Sequence, residues 1–550
     1  MTGFRFCDHL AVVPVFVNTG AALLPAIAAL LASFIAILLR PRQLVRVCRE
    51  KPYWPLGVLA GAVGVWLGIG WLSGGKPGQI DGARPAASSP ARMMEPEDWV
   101  QLARQLAASQ VPAAAAASQQ SPAEVPSGDR PLGLAGGNTR CGYLGGPSPT
   151  NLAKLWAYAE KGAMFLSTPL VRGGRVYGAC CILDLVGSYG TVVCLDAATG
   201  QRIWRAELKD ASHDFKGFFS SPAMSADGKS LVIGQGLHPD YDSELVCLDA
   251  ETGKVKWLID CPLHIESSPA IEGDMVVAGA GAVEDPATHL PARHSDPAKD
   301  KNPGYVFAAR ISTGKVVWKH VLNDPESSPA VENAVVYIGS GFNGNAVAAL
   351  RLNETDEQLK AAGKSRQIWK TPTPFPATGA VTLTDELVLV GCGNGDYVFQ
   401  SPDPAGAVMA LDKRTGKVRW TLSMPDGVLG PIAVRGQTAI VPVRNGEIVA
   451  VNLAAKDDAS RILWRTVARE GARILAGCAL TETNVYAVTH DGHLVVMDAK
   501  TGKLLQSSYI NADPGEMGMS IASPMVGGGR VYVGSETGGL RCYGDGGNGN

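Results

Sequence analysis

The sequence predicts an all-β fold, an eight-bladed β-propeller of four-stranded antiparallel blades, preceded by two transmembrane helices and a linker. Three observations predict it: a turn phrase that recurs with a Trp at fixed spacing, a Ser-Ser-Pro opening that recurs in register with it, and two long apolar stretches near the N-terminus. A repeat of this size means a repeat architecture.

The phrase is Asp-x-x-Thr-Gly with a Trp five residues after the Thr. It appears as Asp196–Gly200 with Trp204, Asp249–Gly253 with Trp257, and Asp412–Gly416 with Trp420. Ile311-Ser-Thr-Gly314 leads to Trp318 without the Asp, and Asp498–Gly502 has Gln506 in place of the Trp. Two degenerate copies keep only the Trp: Ser365 leads to Trp369 and Ser460 to Trp464. Asp caps a tight turn through its carboxylate, and Gly accepts the positive φ that ends it. The turn joins two strands, the second ending on the Trp. An aromatic at one fixed place in every unit implies a ring packed between neighbouring units.

The openings Ser220-Ser-Pro-Ala223, Ser267-Ser-Pro-Ala270 and Ser327-Ser-Pro-Ala330 match closely, and Ser167-Thr-Pro169 and Ser523-Pro524 are looser versions. Thr378-Gly-Ala380, Gly430-Pro431 and Gly477-Cys-Ala479 stand where the remaining copies belong, which makes eight units. A hydrophobic run follows each opening, so each unit reads as four short strands joined by Gly-containing turns. The eighth unit stops at Leu540–Tyr543 without a fourth strand, while Ala153-Lys-Leu-Trp156 is an orphan strand with its own Trp. Pairing the two closes the ring and removes two exposed sheet edges.

At these residues the chain resembles a known family. Asp-Ala-x-Thr-Gly-Lys-x-x-Trp resembles the tryptophan-docking repeat of pyrroloquinoline-quinone (PQQ) dehydrogenases and their non-enzymatic relatives, among them the BamB-like propeller lipoprotein of the outer-membrane β-barrel assembly machine. The resemblance covers about residues 137–545, with Trp156, Trp204, Trp257, Trp318, Trp369, Trp420 and Trp464 as docking residues. A WD-type propeller fits poorly, because no Trp is followed by Asp and no Gly-His precedes a unit. The resemblance implies either a scaffold or an enzyme, since the family holds both.

The remaining domains precede and follow the propeller. Residues 1–75 read as a membrane hairpin: Val17–Leu39 and Pro55–Gly74 are each long and apolar enough to span a ~30 Å hydrocarbon core. Arg40, Arg42, Arg46, Arg49 and Lys51 lie between them. The positive-inside rule places that loop in the cytoplasm and everything after Gly74 on the other side. The expected location is the inner membrane, multi-pass, with the propeller periplasmic or otherwise extracytoplasmic. A cleaved signal peptide is the alternative, and the length of the first stretch and the presence of a second argue against it. Gly57, Gly61, Gly64 and Gly68 let the second helix approach another closely, the bland partner being the first. Residues 76–136 read as an Ala/Pro/Ser-rich linker with a short helix near 96–108, and residues 546–550 as a tail.

The formal net charge of −2 gives no case for nucleic acid. The absence of Cys-x-x-Cys-His excludes an attached c-type haem. Cys194, Cys247 and Cys542 occupy one place in three blades and read as small buried side chains. For Cys180-Cys181 two readings stand: the vicinal disulfide that the dehydrogenase resemblance implies, or two thiols on opposite faces of a strand.

In a propeller the inner strands line the channel, and the loops entering them share a rim with the loops between the second and third strands. Those second-to-third loops are long in blades one (Cys181–Gly190), three (Gly279–Gly304) and five (Cys392–Gly406). The blade-three loop holds Glu284, Asp285, His289, His294 and Asp296, read as a solvated loop rather than a metal site. Just before the openings come His213, Asp214 and Lys216, then His264 and Glu266, then Asp324 and Glu326, taken as equivalent channel-mouth positions of blades two to four. They form either a binding site or local turn caps.

The expected function is a membrane-anchored propeller that binds or scaffolds other proteins on its rim, with no cofactor, metal or assigned catalytic residue. The alternative is a dehydrogenase oxidising an alcohol or sugar with PQQ and calcium, and a third reading is a sensor of a small ligand or cell-wall fragment. No Glu, Asn and Asp of this chain match the dehydrogenase ligands residue by residue.

Overall fold

The computed structural model describes residues 132–545 apart from 185–186, 209–214, 238–239, 241, 282–303, 343, 398–399 and 513–517. The two apolar stretches, the 96–108 segment, His213, Asp214 and the five residues singled out in the blade-three loop lie outside the described residues. Among the described residues no helix is long and apolar enough to cross a membrane.

Eight separate four-stranded antiparallel sheets follow one another along the chain. In sequence order they occupy residues 170–205, 223–261, 270–321, 330–372, 382–424, 433–467, 479–509 and 525–544. The last is completed by the chain's first strand, Ala153–Tyr158, which pairs with Leu540–Gly544 so that Trp156 faces Cys542. The ring closure expected from the orphan Trp strand is the one formed.

The repeated phrase does the work its residue types imply. Asp196 Oδ1 accepts from the N–H groups of Ala198 and Thr199 and from the Thr199 hydroxyl, at 3.0, 2.8 and 2.8 Å. Gly200 then turns with φ 72°. The carboxylates of Asp249, Asp412 and Asp498 hold the same turns. Where blade three lacks the Asp, Asp274 from the neighbouring turn accepts from the Ser312 N–H at 2.8 Å and from its hydroxyl at 2.9 Å.

Each Trp docks on the next blade's turn. The indole N–H groups of Trp156, Trp204, Trp257, Trp318, Trp369 and Trp464 donate to carbonyls of Ala197, Ala250, Ile311, Leu352, Lys413 and Ala499, at 2.7–3.3 Å. The ring also covers the turn glycine: a Cβ on Gly200 would come within 2.6 Å of Trp156, and one on Gly253 within 2.5 Å of Trp204. Gly is therefore required twice over, for its positive φ and for the approach of the ring. Directly opposite the Trp on the third strand stands a small residue, including Cys194, Cys247 and Cys542. These three thiols are fully buried, which is the small-side-chain role expected of them. The pairing register shifts by one residue immediately before the Trp in every blade that has one, a bulge that re-aims the strand.

The openings form a belt around the channel. The backbone N–H of the second opening residue donates to the hydroxyl of its counterpart one blade on: Ser523 to Thr168, Thr168 to Ser221, Ser221 to Ser268 and Ser268 to Ser328, all within 2.9–3.1 Å. The Ser-Ser-Pro repeat thus satisfies inner-strand donors that have no sheet partner.

The segment just before the first strand crosses the channel. Leu132 bridges to Met224 of blade two. Carbonyls of Asn138, Thr139, Cys141 and Gly142 then accept from Val331, Leu383, Val434 and Leu480, the inner strands of blades four to seven. Residues 132–136, read from composition as the end of the linker, belong to this strap, and Leu134 is buried. Arg140 sits at its centre, fully buried. It donates to the carbonyls of Leu134, Ser268, Pro269 and Pro329 at 2.7–3.1 Å. Burial lowers its pKa from 12.5 to about 9. Its charge is met by carbonyl dipoles, which close this end of the channel.

Candidate functional site

The belt fixes which residues face one another at the opposite end. One residue before the first belt position, each blade points one side chain into the mouth: Leu166, Phe219, Glu266, Glu326, Thr378, Leu429, Leu475 and Ile521 in blades one to eight. Two neighbouring members are carboxylates, and most of the rest are apolar. Leu166, Leu429, Leu475 and Ile521 join one cluster with Met164, Cys181 and Leu237, and Phe219, Tyr397 and Met519 pack against it. Tyr397 comes from the long blade-five loop. Its ring meets Phe219 edge-on with centroids 5.9 Å apart. Burial, and then the charges of Glu266 and Glu326, push its phenol well above the usual tyrosine range.

Glu266 and Glu326 both remain partly exposed. Glu326 Oε1 lies 2.9 Å from Nε2 of His264, whose ring is wholly buried in the preceding blade. The carboxylate therefore bridges blades three and four. Of the ionisable groups expected at the mouth, His264, Glu266 and Glu326 come together. Asp324 does not join them. It is buried with φ 47°, its carboxylate accepts the Phe342 N–H at 2.8 Å, and it shapes the blade-four loop. Lys216 is offset as well: its backbone N–H is held by Gln235 at 3.0 Å, and blade two contributes Phe219 at the ring position instead. The sequence carried the signal, since Phe219, Glu266 and Glu326 each stand immediately before the first Ser of a Ser-Ser-Pro opening.

Sequence reasoning passed over the basic side of the mouth. In blade six, Arg444 is fully buried, with Nη1 3.6 Å from Asp426 Oδ2, and its Nε donates to the Asp396 carbonyl at 2.8 Å. Arg473 and His490 stand beside it at the entrance of blade seven, where the Arg473 backbone N–H donates to His490 Nδ1 at 3.0 Å. Acid on blades three and four thus faces base on blades six and seven.

Cys180 and Cys181 are unbonded and buried. They sit on a strand, Arg175–Asp184, that pairs along its length with Gly187–Asp196, so the long blade-one loop is mostly extended hairpin. Cys180 packs into the core between blades, and Cys181 into the mouth cluster. In this structure the two side chains follow strand alternation, one to each side, with no bond between them. Burial raises the Cys180 thiol to about 12 and takes Cys181 well above the ordinary value. Among the described residues no group of three or more His, Cys, Asp or Glu side chains is placed to hold a metal ion.

Comparison with known proteins agrees with this architecture. The family model described as outer membrane protein assembly factor BamB matches residues 188–290 and 361–550, just over half of the chain. A polyvinylalcohol dehydrogenase of Sphingopyxis sp. is 26% identical over 43% of this chain, and the match spans only 31% of that enzyme. The outer membrane protein assembly factor BamB of Burkholderia pseudomallei is 22% identical over 62% of this chain and 87% of its own length. The crystal structure of quinohemoprotein alcohol dehydrogenase from Comamonas testosteroni superposes with a TM-score of 0.50 at 16% identity, covering 74% of this chain and 78% of that one, a likeness of fold alone. With six indole N–H groups bonded to the next blade's turn and a family model that matches over half of the chain, the chain belongs to the PQQ-like, BamB-type β-propeller family.

Proposed function

We propose that this protein is a membrane-anchored, extracytoplasmic scaffold that binds a protein partner on the rim of blades two to four. The observation that carries the reading is the asymmetry of the mouth ring. Glu266 and Glu326 form its one acidic arc, partly exposed, at the edge of a packed apolar cluster. Behind them the channel ends at the strap and Arg140. Such a surface suits recognition of a basic segment from outside rather than chemistry deep in a channel. The anchor rests on the two apolar stretches and the basic loop between them.

The quinone-and-calcium alternative draws support from the dehydrogenase relatives. The side chains at the mouth do not favour it. Leucines, Phe219 and Tyr397 fill the centre, the adjacent cysteines face opposite ways, and Glu326 is engaged with His264.

The test uses the full chain in native membranes, with a photo-crosslinking residue at Thr378 beside the acidic pair. The expected result is a discrete adduct that Glu266→Ala with Glu326→Ala abolishes. An adduct unchanged by that pair of substitutions overturns the site. PQQ- and calcium-dependent dye reduction by the wild-type protein overturns the scaffold reading.

A further inference from the structure

Blades eight, one and four share one device. A Tyr on the second strand packs against the docking Trp: Tyr532 on Trp156, Tyr177 on Trp204 and Tyr337 on Trp369, each with ring centroids 5.9 Å apart. Two residues before that Tyr, blades eight and one carry an arginine that reaches the next blade's turn. Arg530 Nη1 donates to the carbonyls of Ala197 and Ala198 at 2.8 and 3.0 Å. Arg175 donates to the Glu251 carbonyl at 3.4 Å and pairs with its carboxylate at 2.6 Å. Blade four has Val335 at that position. Beside its Tyr–Trp pair lies an open cleft of about 500 Å³, bordered by Val335, Tyr337, Trp369 and the blade-five turn that Trp369 docks on.

Ionisable groups complete the lining. Lys413 is held by Glu332 at 2.5 Å and by the Thr384 carbonyl at 2.6 Å, and Arg419 by Asp412 at 2.5 Å. Asp385, Glu386 and Arg414 remain, all exposed on the cleft wall. Among the described residues none of these three makes an ion pair.

We propose that this cleft between blades four and five binds a guanidinium-bearing amino acid, free arginine being the simplest. Its guanidinium takes the place that an arginine of the chain itself fills in blades eight and one, against the aromatic pair and the turn carbonyls. A planar fork of N–H donors suits both surfaces, stacking on a ring and bonding to oxygen. The charges also match. Arginine brings two cations and one carboxylate, and the cleft offers Asp385 and Glu386 to the former and Arg414 to the latter. The site stands at the strand ends opposite Glu266 and Glu326 and does not depend on the scaffold reading.

The experiment is isothermal titration of the full-length protein with L-arginine. Saturable binding is expected, weakened about tenfold or more by Asp385→Asn with Glu386→Gln, as for loss of charge-assisted bonds. Val335→Arg should abolish binding, because it supplies from within the guanidinium that the other two blades have. L-citrulline, with a neutral urea in place of the guanidinium, and agmatine, without the carboxylate, should both bind more weakly than arginine. Circular dichroism and thermal melting without ligand establish that each variant is folded; the two acids are exposed, so their replacement does not threaten the fold. No saturable heat up to ~10 mM arginine, an affinity in the millimolar range or weaker being too low for a built site, overturns the proposal. So does unchanged affinity in folded Val335→Arg or in the double variant, or binding of citrulline or agmatine as tight as that of arginine.

Discussion

The guanidinium of Arg366 lies 4.6 Å from the centroid of the Trp318 ring, at a blade boundary where the repeat has lost its turn glycine. Arg461 covers Trp420 at 4.2 Å in the same way. Blades four and six are the two whose phrase is degenerate, and in both a Ser-Arg pair stands where Gly-Lys or its equivalent stands elsewhere. The arginine is locked by the backbone: Arg366 donates to the Arg351 carbonyl at 2.9 Å, and Arg461 to the Ala455 carbonyl at 2.8 Å. A planar cation therefore replaces a bare glycine as the surface on which the preceding Trp rests. Arg366→Ala and Arg461→Ala should each destabilise the ring by about 1–2 kcal/mol, the scale of a desolvated cation–π contact. A double-mutant cycle with Trp318→Ala in denaturant melts measures the coupling; a value near zero means the stack contributes nothing.

Trp318 itself is 2% exposed and its indole N–H donates to Leu352 at 2.7 Å. Trp318→Ala should cost roughly 3–5 kcal/mol. The seam between blades seven and eight behaves differently. Gln506 occupies the Trp position there, and its side-chain carbonyl accepts the Leu152 N–H at 2.7 Å. Blade eight is closed by a separate strand and has no Asp-x-x-Thr-Gly turn for a ring to cover. Gln506→Ala should cost only about 1 kcal/mol, one hydrogen bond. Equal losses at the two positions would contradict the docking account.

Much of this was legible in the sequence, because the devices that build a blade are local. Asp, Thr and Gly at fixed spacing make a turn wherever they stand, and a Trp after them has one place to go. The orphan strand at Trp156 and the short eighth unit determined the closure. The mouth was less legible. Lys216, Glu266 and Asp324 look alike as polar residues before an opening, yet they stand four, one and three residues before its first Ser, and the ring position is the one next to that Ser. Counting back from the first Ser separates them. Arg140 gave no signal, since its partners are carbonyls of residues far away in the chain, and nothing in the local sequence marks a strap.

Acid should weaken the protein before its carboxylates titrate. Burial is the first cause that lowers the pKa of both His320 and His490; Arg366 adds to it at the former, and Arg473 at the latter. Their folded values therefore lie below the unfolded value of about 6.5. The unfolded chain then binds more protons, and stability rises with pH across this window. The contribution is fully present above about pH 6.5 and is lost as pH falls through the folded values. Melting temperature should drop between about pH 7 and pH 5. His490→Gln, whose amide oxygen can still accept the Arg473 N–H, should flatten part of that slope. A profile identical to wild type would show that His490 titrates normally in the folded state.

The two adjacent thiols should stay reduced in the native protein. Peptide 176–202, released by trypsin after alkylation without reductant, holds Cys180, Cys181 and Cys194. Extraction and unfolding in the presence of the alkylating reagent should modify all three cysteines. Raised thiol pKa values should also make Cys180 and Cys181 slow to react while the protein is folded. Recovery of a peptide alkylated at Cys194 alone would show a bond between the neighbours.

Arg140→Met is the most severe single change expected in the strap. The methionine fits the space of the arginine stem but offers no donor. The carbonyls of Leu134, Ser268, Pro269 and Pro329 would then converge, buried, with no hydrogen bond from this residue. Leaving buried acceptors unsatisfied costs about 1–3 kcal/mol each, so a loss of at least 3 kcal/mol is expected. Arg140→Lys keeps the charge but cannot span carbonyls on blades three and four together with the strap's own, and should recover less than half of that loss. Because the strap also joins the inner strands of blades four to seven, hydrogen exchange at Val331, Leu383, Val434 and Leu480 should accelerate together in Arg140→Met. Acceleration limited to Val331, next to the substituted side chain, would mean that the strap is held residue by residue and that Arg140 is not its anchor.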